Sequence, residues 1–274
     1  MTSEQISPNP NPEGNRIFLN EDKFATYIND RKYVNNGEIF ILKGEFHNIN
    51  TGGSYFINNN FILNGNSIEN KEFATFNNKR GASIERTEKA QIMNYGNLIN
   101  DGTIECPLVS RGGTYSGSGT LEGDFWNDAN YNPGNSVGGH KIDGDFVHLS
   151  NATMEVELGG DDNFGFDRID TEHDFTEVTE DMVISGGSLE VSLIDDFKLQ
   201  RGQEFIIAKI GGKVLGQFEG LGEGDSVGVF ESIYGNEIGL NITYIAGDGN
   251  DIGLYTAPLT NPETIFDYDE FLFN

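Results

Sequence analysis

Apolar and polar positions recur every six residues in part of this chain. In the stretch 92–104, IMNYGNLINDGTI, apolar residues stand at Ile92, Leu98 and Ile104, with an asparagine and a glycine between each pair. An α-helix repeats after 3.6 residues and a plain strand after two, so neither explains this period. A short strand followed by a tight corner does explain it when the chain coils and stacks on itself. The pattern therefore predicts a β-solenoid with one inward apolar residue per strand.

The same punctuation by Asn and Gly extends over residues 35–135, which we predict to be the solenoid. Of the 31 asparagines, 24 lie in residues 1–135. We expect Asn and Gly to adopt left-handed backbone conformations at the bends, and Asn to stack in ladders. The period fails in the charged stretch 79–89, which indicates an excursion or a shifted rung. The alternative is an ordinary β-sandwich of short strands.

Residues 136–256 show longer alternating patterns. Apolar residues alternate with polar ones in 152–160, 187–195 and 237–246, and 204–212 contains a continuous apolar run. These patterns predict longer antiparallel strands in a sheet or sandwich, with a wider continuation of the coil as the alternative. The fold class is therefore all-β.

Both ends of the chain differ from the body. Residues 1–15 contain three prolines and predict an extended arm. The segment 20–31, NEDKFATYINDR, predicts one short helix within a cap at 16–34. The tail 257–274 is too apolar to stay free, and we expect it to dock on its own body or on a neighbour. Its candidate assembly residues are Phe266, Tyr268, Phe271 and Phe273.

The charge limits the classes of partner. The net charge is −27, of which residues 1–150 carry −6 and residues 151–274 carry −21. Such a chain repels nucleic acid and anionic membranes. Cys106 is the single cysteine, so we expect no internal disulfide and a small buried side chain. No apolar run is long enough to cross a membrane, and the first residues lack the features of a Sec signal peptide. We therefore expect a virion, extracellular or cell-surface location reached by another route.

One ordered set of motifs resembles a known family. The set comprises NPGNSVGG (132–139), ATMEVELGG (152–160), FDRID (166–170), GGSLEVSLID (186–195) and YIAGDGNDIGLYT (244–256). It is similar to the carboxy-terminal part of β-helical passenger regions in autotransporter-type adhesins. Val137 replaces the usual proline, and the acidic segment 171–181 is longer than the family's link. We also expect no outer-membrane barrel and no sorting anchor after Tyr255. The resemblance implies an elongated, non-enzymatic adhesive structure, with phage fibre and decoration proteins as functional analogues.

The closing hairpin offers one candidate metal site. The segment 246–254, AGDGNDIGL, partly matches a calcium-binding repeat, with Asp248, Asn250 and Asp251 as candidate ligands. A tight turn between two strands is the alternative. The acidic clusters at 161–181 offer further oxygen ligands, but the pattern favours a solvated loop there. We otherwise expect no cofactor.

Four aromatic residues near the junction are candidate glycan contacts. These are Tyr95, Tyr115, Trp126 and Tyr131, for which packing in the core is the alternative role. The four histidines, His47, His140, His148 and His173, show no metal-ligand spacing. No nucleophile elbow or phosphate loop is present, so we expect no catalytic residues and no enzymatic activity.

These observations lead to three functional hypotheses. The first is a structural or adhesive component of a virion appendage, such as a fibre, spike or decoration protein. The second is a cell-surface filament subunit or a glycan-binding adhesin. The third is a β-helical polysaccharide-degrading enzyme. In the first two, the expected partners are copies of the chain, other subunits of a particle or filament, and host-surface glycans, with no nucleic acid and no membrane insertion.

Overall fold

The chain winds into a three-sided coil of parallel strands. The computed structural model describes residues 3–5, 11–19, 26–42, 45–49, 54–87, 89–134, 136–160 and 172–256. Within these ranges every regular element is a strand, and the strands form three sheets, A, B and C, visited in that order on successive turns. The predicted all-β solenoid is confirmed.

Sheet A contains β1 (Ser3–Gln5), β3 (Thr26–Asn29), β6 (Glu45–Asn48), β9 (Ser67–Asn70), β12 (Gln91–Asn94), β15 (Leu108–Ser110), β18 (Phe125–Asn127), β21 (Phe146–His148), β24 (Met182–Ile184) and β27 (Val214–Gly216). Sheet B contains β4 (Lys32–Asn35), β7 (Tyr55–Asn58), β10 (Thr75–Asn78), β13 (Asn97–Asn100), β16 (Thr114–Gly117), β19 (Asn130–Pro133), β22 (Thr153–Leu158) and β25 (Ser188–Leu193). Sheet C contains β2 (Arg16–Leu19), β5 (Glu38–Ile41), β8 (Phe61–Asn64), β11 (Ser83–Arg86), β14 (Thr103–Ile104), β17 (Thr120–Leu121), β20 (Gly139–Ile142), β23 (Phe175–Val178), β26 (Glu204–Ile210), β30 (Asp251–Thr256), β29 (Glu237–Ala246) and β28 (Ser226–Glu231).

From β4 to β26, every strand contributes at least one inward apolar residue to one continuous core. Ile92, Leu98 and Ile104 are each at most 1% exposed, as the sequence predicts. They lie on sheets A, B and C of a single turn rather than above one another. The vertical neighbours come from other turns: Leu98 lies between Phe76 and Tyr115 in sheet B. The six-residue period therefore measures one side of the coil.

The irregular stretch 79–89 is a shifted rung. β11 keeps its place in sheet C, where Ile84 pairs with Ile62 on one side and Ile104 on the other. The corners before β10 and before β11 span residues 71–74 and 79–82, whereas the corner before β9 has only residues 65 and 66. The longer corners displace the period without interrupting the stack.

The parallel coil continues well beyond residue 135. β22 pairs in parallel with β19 and with β25, so the alternating segments 152–160 and 187–195 are rungs and not the antiparallel strands expected there. The alternative of a continued coil is correct up to β27. Antiparallel pairing begins with β28, β29 and β30, which extend sheet C beyond β26.

The prediction of an N-terminal helix is wrong for its described part. Residues 26–29 form β3, which pairs with β1 and β6, so neighbouring rungs satisfy its backbone groups. Residues 20–25 lie outside the described ranges. The predicted arm is also part of the body where it is described, because β1 belongs to sheet A and the side chain of Asn11 donates to Asn35.

Two ladders of buried asparagines run along the corners. At the end of the sheet B strands, side-chain amides bond from rung to rung through Asn11, Asn35, Asn58, Asn78 and Asn100 at 2.8–2.9 Å. At the end of the sheet A strands, a second ladder runs through Asn29, Asn48, Asn70 and Asn94 at 2.8–2.9 Å. All these side chains are at most 2% exposed. The predicted asparagine ladders are confirmed.

The glycines of the repeat allow close approach of consecutive rungs. A Cβ at Gly96 would overlap the carbonyl oxygens of Lys71 and Ala74, and one at Gly102 would overlap that of Ala82. Neither glycine has a positive φ, and no asparagine in the described ranges has one. The expected left-handed bends are thus wrong at these positions, where carbonyl contacts from the previous turn exclude a side chain.

The inward position of Leu98 gives a direct test of the core. We expect Leu98→Asp to lower the free energy of unfolding by several kcal/mol, because it buries an unpaired carboxylate between two aromatic rings. Ile99→Asp is the matched control, since Ile99 is next in the same strand and only partly buried. Equilibrium unfolding in urea measures both variants. Equal losses of stability in the two variants would contradict the assigned orientation of β13.

Candidate functional site

The structure divides the four candidate glycan contacts into two pairs. Tyr115 and Tyr131 are fully buried in the sheet B core column. The hypothesis that they contact glycan is therefore wrong, because no ligand outside the coil reaches their rings. Tyr95 and Trp126 are partly exposed and each lines a groove on the outer side of the coil.

The buried pair belongs to a polar network inside the core. The hydroxyl of Tyr115 lies 2.9 Å from Nε2 of His140, and that of Tyr131 lies 3.0 Å from its Nδ1. The hydroxyl of Tyr131 also lies 2.9 Å from Oγ1 of Thr176. Complete burial lowers the pKa of His140 to about 3, so its imidazole is neutral at physiological pH. The network provides hydrogen-bond partners for polar atoms enclosed in the coil. Because these atoms are buried, they do not contact a substrate outside the coil.

A second buried ionisable group lies nearby. The carboxylate of Asp174 accepts hydrogen bonds from the backbone N–H groups of Gly138 and Glu157. Burial raises the pKa of Asp174 to about 8, because removal from water penalises its charge. This residue of the acidic segment is thus a core group that ties β22 to its neighbours, not part of a solvated loop.

Trp126 lies in a groove on the outer face of sheet A. The groove has a volume of about 390 Å³ and is lined by Gln91, Val109, Arg111, Trp126, Asp128 and Leu149. Register places Trp126 beside Val109 on one rung and Val147 on the next, so its ring rests on aliphatic neighbours. An apolar floor with an amide, a guanidinium and a carboxylate at the rim suits a ligand with both C–H faces and hydroxyl groups.

Tyr95 lies in a second groove on the same flank. This groove has a volume of about 470 Å³ and is lined by Ile49, Lys71, Glu72, Phe73 and Tyr95. The Lys71 ammonium stands 5.6 Å from the centre of the Tyr95 ring, and Phe73 is 81% exposed. Aromatic surface and charge therefore recur together along this side of the coil.

The two grooves are linked by a column of corner residues. Each member follows a sheet A strand. Its backbone N–H donates to the backbone carbonyl of the last residue of the sheet A strand one rung earlier. This corner column contains Ile49, Lys71, Tyr95, Arg111, Asp128 and Leu149. With about 4.8 Å between rungs, six residues span roughly 24 Å. We call the corner column and the two grooves the sheet A flank.

The closing hairpin uses its polar side chains within the protein. The Asn250 amide donates to the carbonyls of Ile210 and Gly212, and Oδ1 of Asp251 accepts from the N–H of Ile210. These bonds fasten the β29–β30 turn, which also contains Asp248, to the end of β26. Burial is the main cause that raises the pKa of Asp251. Calcium at this turn stays a prediction.

A different set of ligand atoms converges on sheet A. Within the described ranges, the one group of three His, Cys, Asp or Glu donors that meets at metal-binding distances is Glu45, His47 and Glu69. Sequence reasoning missed it because the residues occur on two turns of the coil. The signal was Glu-x-His in one strand and Glu69 one turn later, which becomes informative only when the register is known.

Comparisons with known proteins give no assignment. No family model matches the sequence, and no curated protein matches it. The resemblance to β-helical adhesins therefore remains a hypothesis. Among the described residues, no helix is long and apolar enough to cross a membrane. The candidate assembly residues Phe266, Tyr268, Phe271 and Phe273 lie outside the described ranges.

The buried imidazole of His140 predicts a specific pH dependence. Its pKa of about 3 in the folded state lies below the unfolded value. Between these two pKa values, His140 is protonated in the unfolded chain but neutral in the folded chain. Stability from this group is complete above about pH 6.5 and is lost as the pH falls towards 3. We expect wild type to lose about 2 kcal/mol of unfolding free energy relative to His140→Gln between pH 7 and pH 5.

Urea unfolding of both proteins at several pH values measures this difference. Asp174 acts in the opposite direction, since its raised pKa favours the folded state as the pH falls from about 8. That contribution is common to both proteins and cancels in the comparison. A difference that stays constant between pH 7 and pH 5 would contradict the neutral, inaccessible imidazole.

Proposed function

We propose that this chain is a non-enzymatic structural and adhesive rod in an extracellular assembly, and that its sheet A flank binds saccharide. The observation that supports the proposal most strongly is the groove at Trp126. Its ring lies on a parallel sheet beside Val109 and Val147, with Arg111 and Asp128 at the rim.

The chemistry of this groove fits a neutral saccharide. An aromatic ring offers a large apolar face to the C–H groups of a sugar, while amide, guanidinium and carboxylate groups bond its hydroxyls. The net charge of −27 opposes polyanions such as nucleic acids, so the whole-protein field favours neutral ligands over acidic ones.

The shape of the flank fits a linear chain better than a single sugar. The corner column presents one residue per rung over six rungs, and both grooves open along it. The rung spacing is comparable to the length of one pyranose unit, so a polysaccharide lying along the axis meets a new side chain at each unit. The parallel stack keeps these positions fixed relative to one another.

A virion appendage is the first assembly in which such a rod would work, and a cell-surface filament or adhesin is the second. In both, a stiff coil holds a binding flank away from the particle or cell. The fold supports either setting equally. Copies of this chain or other subunits would then attach at parts of the rod other than the sheet A flank.

The single tryptophan makes the proposal testable. We expect a panel of neutral oligosaccharides to include ligands that change the fluorescence of Trp126 saturably. We also expect Trp126→Ala to weaken their binding about tenfold in calorimetry, because the stacking surface is lost. Trp126→Phe, which keeps an aromatic ring, should lose less.

Tyr234→Ala serves as the matched control, because Tyr234 is 82% exposed and lies outside the sheet A flank. Its affinity should equal that of wild type. A ligand whose affinity is unchanged by Trp126→Ala, or a panel without any ligand, would contradict the saccharide-binding flank.

A further inference from the structure

Strand geometry brings three ligand-bearing side chains to one point on the outer face of sheet A. Glu45 and His47 are two residues apart in β6, so their side chains point to the same face. Glu69 pairs directly with His47 on the next rung. All three are outward positions of their strands, whose inward residues Phe46 and Ile68 are buried. The backbone register therefore sets the cluster.

The distances between the ligand atoms match those around one small cation. Nε2 of His47 lies 3.1 Å from Oε2 of Glu45 and 3.5 Å from Oε2 of Glu69. The three ligand atoms all lie within 4.8 Å of one another. Tetrahedral zinc with bonds of about 2.0–2.2 Å separates its ligands by roughly 3.3–3.6 Å. Small side-chain rotations are enough to seat an ion between these atoms.

We propose that Glu45, His47 and Glu69 bind one divalent transition-metal ion of the zinc type, with water completing its coordination. The set has one imidazole nitrogen and two carboxylates, which suits zinc or cobalt(II), whereas calcium takes six to eight oxygens. The site shares its two rungs with Ile49 and Lys71, which line the Tyr95 groove, but the proposal does not depend on saccharide binding.

The surroundings hold the ligands in place and leave one side open. The residue after His47 is Asn48, whose amide bonds to Asn70 at 2.8 Å, so the asparagine ladder fixes both strands next to the cluster. The His47 and Glu69 side chains are 18% and 20% exposed, and Glu45 is 46% exposed.

Lys71 is the built-in competitor for this ion. Its ammonium contacts the Glu69 carboxylate and also stands over the ring of Tyr95 at 5.6 Å. A metal ion at Glu69 therefore displaces a cation that has an aromatic partner beside it. Because removal of Lys71 removes the competing charge, the site predicts tighter metal binding in Lys71→Ala.

Calorimetry with zinc on the chelator-treated full chain tests the proposal, and cobalt(II) absorption reports the ligand geometry. We expect one saturable site in wild type, with the visible bands of four-coordinate cobalt. His47→Ala and Glu69→Gln should each weaken zinc binding about tenfold or more. Lys71→Ala should strengthen it. His47→Gln, checked by circular dichroism, separates loss of the ligand from loss of folding.

Glu105→Gln is the matched control, because Glu105 faces Glu85 and Glu122 on another side of the coil without a histidine. Its zinc affinity should equal that of wild type, and calcium should not displace zinc. Zinc affinity that is unaffected by His47→Ala would overturn the proposal, since it would mean diffuse attraction to an acidic surface. Affinity that fails to rise in Lys71→Ala would overturn the placement of the ion at Glu69.

Discussion

The buried asparagine ladders are the constraint on which the coil depends. A side-chain amide enclosed at a corner must have partners for both its NH₂ group and its oxygen. Here these partners are the asparagine amides at the equivalent corner positions of the neighbouring rungs. An unpartnered amide in that position costs about 1–3 kcal/mol. A rung that slips by one residue breaks the ladder and also turns its apolar residues outward. The ladders therefore fix the register that every surface feature inherits.

The hydrogen bonds at the corners change partway along the coil, where the asparagine ladders end. The sheet B ladder ends at Asn100, whose amide bonds to the carbonyl of Thr120, and the sheet A ladder passes from Asn94 to the hydroxyl of Ser110. Beyond these points the core contains the network of Tyr115, Tyr131 and His140. The Tyr95 groove lies on the ladder side of this transition, whereas the Trp126 groove begins at Gln91 and extends beyond it. The proposed metal cluster lies entirely within the ladder region, where the Asn48–Asn70 hydrogen bond joins its two strands.

The order of core, ladder and corner residues within one side of the coil could be predicted from the sequence. The vertical pairing of residues on successive turns could not. Ile92, Asn94 and Gly96 mark core, ladder and corner within one side, and that local order was readable. Which residues stack vertically depends on corner lengths, such as the extended corner at 71–74, and local patterns do not contain that information. For this reason the sequence did not show that Tyr115 is a core residue whereas Trp126 is partly exposed. It also did not show that His47 and Glu69 are neighbours on adjacent rungs. The predicted helix is wrong at residues 26–29 because pairing with neighbouring rungs outweighs local helical propensity in β3.

The unfolding free energy of Asn78→Ala, compared with that of Asn59→Ala, tests the role of the ladders most directly. The Asn78 side chain is buried and bonds to Asn58 and Asn100, whereas the Asn59 side chain is exposed and donates to the outer side chain of Asn36. The account predicts a loss of roughly 2–4 kcal/mol for Asn78→Ala, because two buried partners lose a hydrogen bond. It predicts a loss below about 0.5 kcal/mol for Asn59→Ala. Equal losses in the two variants would contradict the claim that buried amide stacking fixes the register of the coil.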